Sequence, residues 1–246
     1  MKEKRWYIFL SLSLVIASSL TYLAQHVIFG RPEDTFFYMM QDLAFVPIQA
    51  LLVMLIIDRL LQRKEKEALL HKMNMVVGVF FNEMGRELIA LIVDASADAG
   101  ALRADLCVSG EWDAAMFVRA AGGIDRRRYE LIVDGGSLQG MRDFLKTKRE
   151  MVLRLLENPN LLEHDTFTDL LWAVCHLSDE LMHRDSLAVL PQNDIDHLKG
   201  DITRAFRLLL KEWLVYMKHL QKSYPYLFSL AVRMNPFNVN VNPVIT

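Results

Sequence analysis

FFYMMQDLAFVPIQALLVMLII (residues 36–57) is the stretch on which the reading of this chain turns. It carries one formal charge, Asp42, and as a helix rising ~1.5 Å per residue it is about as long as the ~30 Å hydrocarbon core of a bilayer is thick. It therefore predicts a membrane span, interrupted by Gln41, Asp42, Pro47 and Gln49. Upstream, residues 6–24 hold no charge and predict another span of similar reach. A cleaved signal peptide would also place Lys2, Lys4 and Arg5 before an apolar run, but the small-residue cleavage pattern around Tyr22, Leu23 and Ala24 is poor. Basic residues flank the far ends of both spans: Lys2, Lys4 and Arg5 on one, Arg59, Arg63, Lys64 and Lys66 on the other. The loop between them sets Arg31 against Glu33 and Asp34, so the charge bias puts both termini in the cytosol.

Polar groups within a span cost free energy unless they are paired. Asp42 and Gln49 share a helix face with Phe45, Val46, Val53 and Ile56. Two uses are open to them. In an antiparallel hairpin Ser18 and Thr21 reach the depth of Asp42, and Ser11 or Ser13 that of Gln49, so these groups can hydrogen-bond one span to the other. In a homo-oligomer they would instead line a shared axis that attracts cations. Pro47 kinks the span in either arrangement, as a gating hinge or as a packing feature.

The chain has 246 residues, is 52% hydrophobic and carries a net charge of −2 with a pI near 6.4. Its apolar excess sits in the hairpin (1–58), which leaves 59–237 amphipathic and long enough for one core, followed by a tail, 238–246. So small a net charge sets up no global field toward nucleic acid, and no DNA or RNA partner is expected. Cys107 and Cys175 sit in apolar stretches at no metal-ligand spacing, as reduced thiols of a cytosolic domain do.

Apolar residues at Leu70, Met73, Val77, Phe80, Met84, Leu88 and Leu91 recur every three or four positions and continue the second span as one helix. Gly78 and Gly85 would let a neighbour come close to it. Ser109 is expected to cap a helix that runs to about Ala121 and ends at Gly122 and Gly123. Gly135 and Gly136 break the chain again before Ser137 caps a helix to about Leu156, which Pro159 stops. Thr166 with Asp169 reads as a capping box for a helix to about His183, and the last long helix runs from near Asp194 to before Pro225. Residues 124–133, with Tyr129, Leu131 and Val133 alternating, fit a short strand or a helix. The short amphipathic piece after Pro225 either covers the core or lies on the inner leaflet.

No glycine-rich phosphate loop and no nucleophile elbow is present, so neither an organic cofactor nor a catalytic residue is expected. Arg126, Arg127 and Arg128 form a basic cluster, read as a solvated turn or as a contact for lipid headgroups. The arrangement that resembles a metal site is His176, Glu180 and His183, near one helical face with Asp179 between them. A Glu followed three residues later by His is the repeating unit of di-iron helical bundles, which need a second pair and two further acids. Asp194 with His197 would have to be that pair, and Glu83 and Glu87 the acids; the motif is half present, and a solvated polar face accounts for the same residues.

The segments AFVPIQALLVMLIIDRLLQRKEK (44–66), FFNEMG (80–85), ENPNLLEHDTFTDLLWAV (157–174) and EWLVYMKHLQKSYPYLFSLAVRMNPF (212–237) resemble stretches of a prokaryotic family of two-span membrane proteins. The resemblance covers nearly the whole chain and implies an inner-membrane location; it brings no reaction, ligand or site residue. Together these readings give an all-α protein with an N-terminal transmembrane hairpin and a cytosolic helical bundle. The first functional reading is a self-associating membrane protein that conducts ions along an axis lined by the second span. A membrane-tethered scaffold whose helical domain binds a protein partner comes second, and a helical-bundle metalloprotein third.

Overall fold

Apolar residues at helical spacing, with little strand-like alternation, fold into a succession of helices. The structure, a computed structural model, describes residues 2–30, 32–158, 161, 164–239 and 241–244. Its helices are α1 (Lys2–Phe29), α2 (Pro32–Phe80), α3 (Arg86–Asp94), α4 (Ala99–Leu106), α5 (Ala114–Arg126), α6 (Gly135–Leu156), α7 (Asp165–Met182), α8 (Gln192–Ser223) and α9 (Pro225–Arg233). A π-helical turn, Phe81–Gly85, separates α2 from α3. The chain divides into two units, Met1–Lys66 and Glu67–Thr246. Arg31, Pro159, Asn240, Ile245 and Thr246 lie outside the described residues, as do the side chains of Lys2, Lys4, Arg5, Ser11, Glu33, Asp34, Lys66 and Leu70.

In the first unit Gly30 turns the chain from α1 into α2 with φ of 63°, a conformation that glycine reaches without a Cβ clash, and its N–H donates to the His26 carbonyl. The Tyr22 hydroxyl of α1 donates to Asp42 of α2 at 3.2 Å. Thr21, expected in that role, donates instead to the Ala17 carbonyl of its own helix at 2.9 Å, as Ser19 does to the Val15 carbonyl. Every described large apolar side chain from Phe36 to Leu61 is at least 45% exposed. Among the described residues Phe36–Glu65 is the one helical stretch long and apolar enough to cross a membrane, whereas α1 supplies a shorter apolar stretch, Leu12–Ile28. Of the two expected spans, only the second corresponds to such a stretch among the described residues, so the expected pair of full-length spans is not found there. The first expectation, 6–24, begins in residues whose side chains are mostly outside the described set.

In the second unit α8 lies against α3, α5, α7 and α9, and α6 packs on α7 and α3. The centre is aromatic. Phe80 meets Phe167 edge-on with ring centroids 5.3 Å apart, and Phe81 meets Trp213 at 5.3 Å and stacks on Tyr216 at 5.4 Å. The π turn brings the consecutive rings of Phe80 and Phe81 into one cluster, with the Arg86 N–H donating to the Phe81 carbonyl five residues back. Gly85 makes room for them: a Cβ there would stand 2.5 Å from Phe81 Cδ1 and 2.9 Å from Phe80 Cε1.

Several helix ends differ from expectation because an aspartate or histidine outcompetes the neighbouring hydroxyl. Asp113, not Ser109, caps α5, accepting from the Met116 N–H at 2.8 Å, and α5 continues through Gly122 and Gly123 to Arg126. Asp134 caps α6 in a capping box whose reciprocal member is Ser137, so Gly135 and Gly136 form the first turn instead of a break. His164 Nδ1 accepts from the Phe167 N–H and caps α7 in place of a Thr166–Asp169 box. Residues 127–133 form neither a strand nor a helix; they hold an isolated antiparallel bridge, Leu131 to Ser96. The segment after Pro225 is a helix that buries Phe228 and Ala231 and leaves Tyr226, Leu227 and Leu230 exposed.

Polar groups tie the C-terminal end to the core: the fully buried Asn235 donates to the Val108 carbonyl at 3.1 Å, and Gln221 donates to the Trp112 carbonyl at 2.7 Å. Cys107 and Cys175 are free and half-buried, and burial pushes both thiols up. The connection from α7 to α8 is closed by Arg184, which donates to both oxygens of Asp194 at 2.8 and 2.6 Å and to Glu180 Oε2 at 2.8 Å. These hydrogen bonds hold the Asp194 and Glu180 carboxyls below the usual carboxylate range.

Gly85→Ala is expected to cost about 1–3 kcal/mol, because two buried rings must leave their rotamers. Gly140→Ala, where a Cβ meets nothing within 4 Å inside α6, is expected to add roughly 0.5–1 kcal/mol. Thermal melts of the two variants should move in opposite directions. Because the Asp194 and Glu180 pKa values are depressed in the folded chain, the stability they contribute is complete above the ordinary carboxylate range and is lost as pH falls through the depressed values. Denaturation profiles collected below about pH 4 should show a shallower acid decline for Arg184→Met than for the wild type.

Candidate metal centre

Both α7 and α8 are amphipathic, and each buries an apolar stripe, with Phe167, Leu170, Val174 and Leu177 on one and Leu198, Ile202, Leu209 and Trp213 on the other. The two helices run antiparallel, so their bordering polar residues meet in a ladder that advances along α7 as it retreats along α8. Thr166 donates to Glu212 at 2.5 Å, His176 meets Asp201, Glu180 meets His197, and Arg184 meets Asp194.

The two middle rungs converge. His176 and Glu180 are one turn apart on α7, and His197 and Asp201 are one turn apart on α8, which puts each pair on one helix face. Each residue offers one donor atom, and the four atoms lie within 4.8 Å of one another. Asp201 Oδ2 stands 3.5 Å from His176 Nε2 and 3.3 Å from His197 Nε2. Glu180 completes the set, with Oε2 3.6 Å from His197 Nε2 and Oε1 3.9 Å from His176 Nε2. A tetrahedral ion bound at 2.0–2.1 Å requires donor-to-donor edges of about 3.3–3.4 Å, so small side-chain adjustments would close the four donors around one ion.

The Asp201 side chain is 3% exposed, its Oδ1 faces Arg204 at 3.1 Å, and its Oδ2 is buried without a hydrogen bond. A buried carboxylate oxygen in that condition is costly unless a cation or donor meets it. The His176 and His197 side chains are 47% and 53% exposed, so the cluster opens to solvent on the imidazole side. Two imidazoles and two carboxylates are a borderline donor set of the kind that zinc and its neighbours take.

His176 and Glu180 are therefore brought together as the sequence suggests, but His183 is not: it is the C-cap of α7, with Nδ1 2.8 Å from the Asp179 carbonyl. Asp194 is committed to Arg184, Asp179 pairs with Arg149, Glu83 faces Lys148 at 3.9 Å, and Glu87 is exposed in the first turn of α3. A di-iron constellation is thus not assembled by these residues. Asp201 was missed, and its signal was the repeated spacing of a histidine and an acid one turn apart on two consecutive helices. Of the intramembrane candidates, Asp42 is taken by Tyr22, Gln49 is exposed along α2, and Pro47 lies inside that helix without ending it.

Comparison with known proteins finds two family models. Residues 69–233 match "Uncharacterized protein MJ1433, C-terminal helical domain", and residues 2–61 match "MJ1433, N-terminal helical domain". The chain is 42% identical over 238 residues to Uncharacterized protein MJ1433 of Methanocaldococcus jannaschii, an alignment covering 97% of this chain and 96% of that protein. No solved structure matches. With both helical domains matched in order and the relative aligned nearly end to end, the chain belongs to the MJ1433 family.

Proposed function

We propose that this protein is a membrane-anchored metal-binding protein. In this reading α2, hydrogen-bonded to α1, holds the chain in the bilayer, and the helical domain takes one divalent transition-metal ion of the zinc class on His176, Glu180, His197 and Asp201. The observation that carries it is Asp201 Oδ2, buried, without a hydrogen bond, and facing two imidazole nitrogens. Four protein donors fill a tetrahedral shell and leave no position for a reactive water, so the ion's role is to clamp α7 to α8, not to hydrolyse a substrate. Glu180 serves both the ion and Arg184, since a carboxylate has two oxygens to give.

The apolar surface of α2 supports the anchor. Burying a side chain of this size stabilises by about 1.5–3 kcal/mol, so leaving the whole run from Phe36 to Leu61 in water would exceed the roughly 5–15 kcal/mol that holds an ordinary domain together. Arg59, Arg63 and Lys64 at its end favour a cytosolic position for the chain that follows. The hydrogen bond from Tyr22 spends Asp42 within one chain, which favours an anchor over an ion-conducting axis.

The test uses the full-length protein in nanodiscs, stripped with chelator and titrated with Zn²⁺ and, for its d–d spectrum, Co²⁺. One ion per chain is expected, with a raised melting temperature, since an ion at 100 times its Kd adds about 2.7 kcal/mol. Asp201→Asn and His197→Ala should each weaken binding at least 100-fold while His183→Ala leaves it unchanged; a stoichiometry far below one, or equal loss in His183→Ala, rejects the centre. The anchor is checked separately by extracting membranes at alkaline pH. Release of the intact chain into the supernatant would reject that half of the reading.

A further inference from the structure

A cleft of about 420 Å³ lies between α4 and α5 and shares no residue with the metal cluster. Its size falls in the range of small-molecule sites. The floor is apolar, formed by the buried side chains of Leu106, Trp112 and Ile124, with Met116 beside them. Around it stand three guanidiniums, Arg119, Arg126 and Arg127, against one carboxylate, Asp105. Arg127 is ion-paired to Asp105 and lies 3.6 Å from Asp98, yet its Nη1 is buried without a hydrogen bond. Arg119 is exposed and meets no acid among the described residues.

Gly123 adds an independent observation. It lies inside α5 and contributes bare backbone to the cleft, and a Cβ placed on it would meet nothing within 4 Å. Packing therefore gives no reason for glycine here, and glycine within a helix is less stable than alanine. The same is true of Gly140 and Gly200, but of these three helical glycines Gly123 alone lines the cleft, where a methyl would take room from a ligand lying against the helix backbone.

We propose that this cleft binds an anionic amphiphile: a small apolar body seated on Trp112 and Met116, bearing a phosphate, sulfonate or carboxylate held by Arg119, Arg126 and Arg127. Guanidinium groups offer paired donors that match such oxyanions, and the apolar floor distinguishes the ligand from a bare inorganic anion. The same chemistry is presented by an anionic lipid headgroup and by a soluble organic anion.

The experiment titrates 1-naphthyl phosphate into the full-length protein in phosphatidylcholine nanodiscs by calorimetry, with empty discs subtracted and 1-naphthol and inorganic phosphate as controls. Binding at least tenfold tighter than either control is expected. Arg119→Gln, a change at an exposed and unpaired side chain, should weaken it at least tenfold. Gly123→Ala should weaken it comparably while raising the melting temperature, an opposition that a merely structural glycine does not produce. Asp201→Asn should leave it unchanged, which separates this site from the metal centre. No binding of 1-naphthyl phosphate, equal binding of 1-naphthol, or wild-type affinity in both cleft variants overturns the proposal. Discs containing phosphatidylglycerol assign the source: displacement of the probe identifies a lipid headgroup, and unchanged affinity identifies a soluble anion.

Discussion

The antiparallel register of α7 against α8 is the constraint on which the rest of the helical domain depends. α8 packs on α3, α5, α7 and α9, meets α2 through Asn74 and His219, and buries Phe206, Leu210, Trp213 and Met217 completely, so any slip along α7 would displace most of the core. Apolar contacts alone tolerate such slips, because one leucine fills much the same hole as another. The polar ladder does not. Glu212 is a buried carboxylate that accepts from Thr166 of α7, and moving α8 by one turn would strip it of that partner and part Asp201 from His176, leaving Asp201 only His197 and Arg204 of its own helix. Specificity of packing thus comes from two acids in an otherwise oily seam.

That register explains which parts of the structure the sequence discloses. The all-helical architecture was legible, because Met73, Val77, Phe80, Met84 and Leu88 recur at helical spacing and all are buried. So was the apolar character of α2. Helix ends were legible to within a few residues, and the errors share one cause: where Ser109 or Thr166 stands near an aspartate or a histidine, local composition does not say which side chain reaches the free N–H groups. The π turn left no trace at all, since Gly85 matters only once Phe80 and Phe81 are known to lie across it. The candidate metal cluster was legible in part. His176 and Glu180 stand on one helix and announce themselves, and His197 is read as a possible ligand but paired with Asp194; Asp201 joins only when the antiparallel pairing is known, and spacing along a single helix favours His183, which lies outside the cluster.

The two candidate sites use the bundle in different ways. The His176 cluster is built on rigid helices whose apolar faces fix the donors, the arrangement that precise coordination requires. The cleft beside Gly123 rests on short elements, α4 and the segment before α5, held by ion pairs such as Arg103 with Asp94 at 2.6 Å. Pairs of this kind are partly exposed and contribute little stability each. The two candidate sites therefore stand on different supports, one on two long packed helices and the other on short elements tied by partly exposed ion pairs.

The hydrogen bonds of Asn235 and Gln221 bear on how the chain is made. The Val108 carbonyl waits for a partner 127 residues further along, and the Trp112 carbonyl for one 109 residues along. At synthesis rates of about 5–20 residues per second the first of these intervals is roughly 6–25 s. During it the faces of α3 and α5 that pack on α8 are still uncovered. Closure of the domain is therefore a late event in the life of the nascent chain, completed only when α8 and the segment around Asn235 arrive.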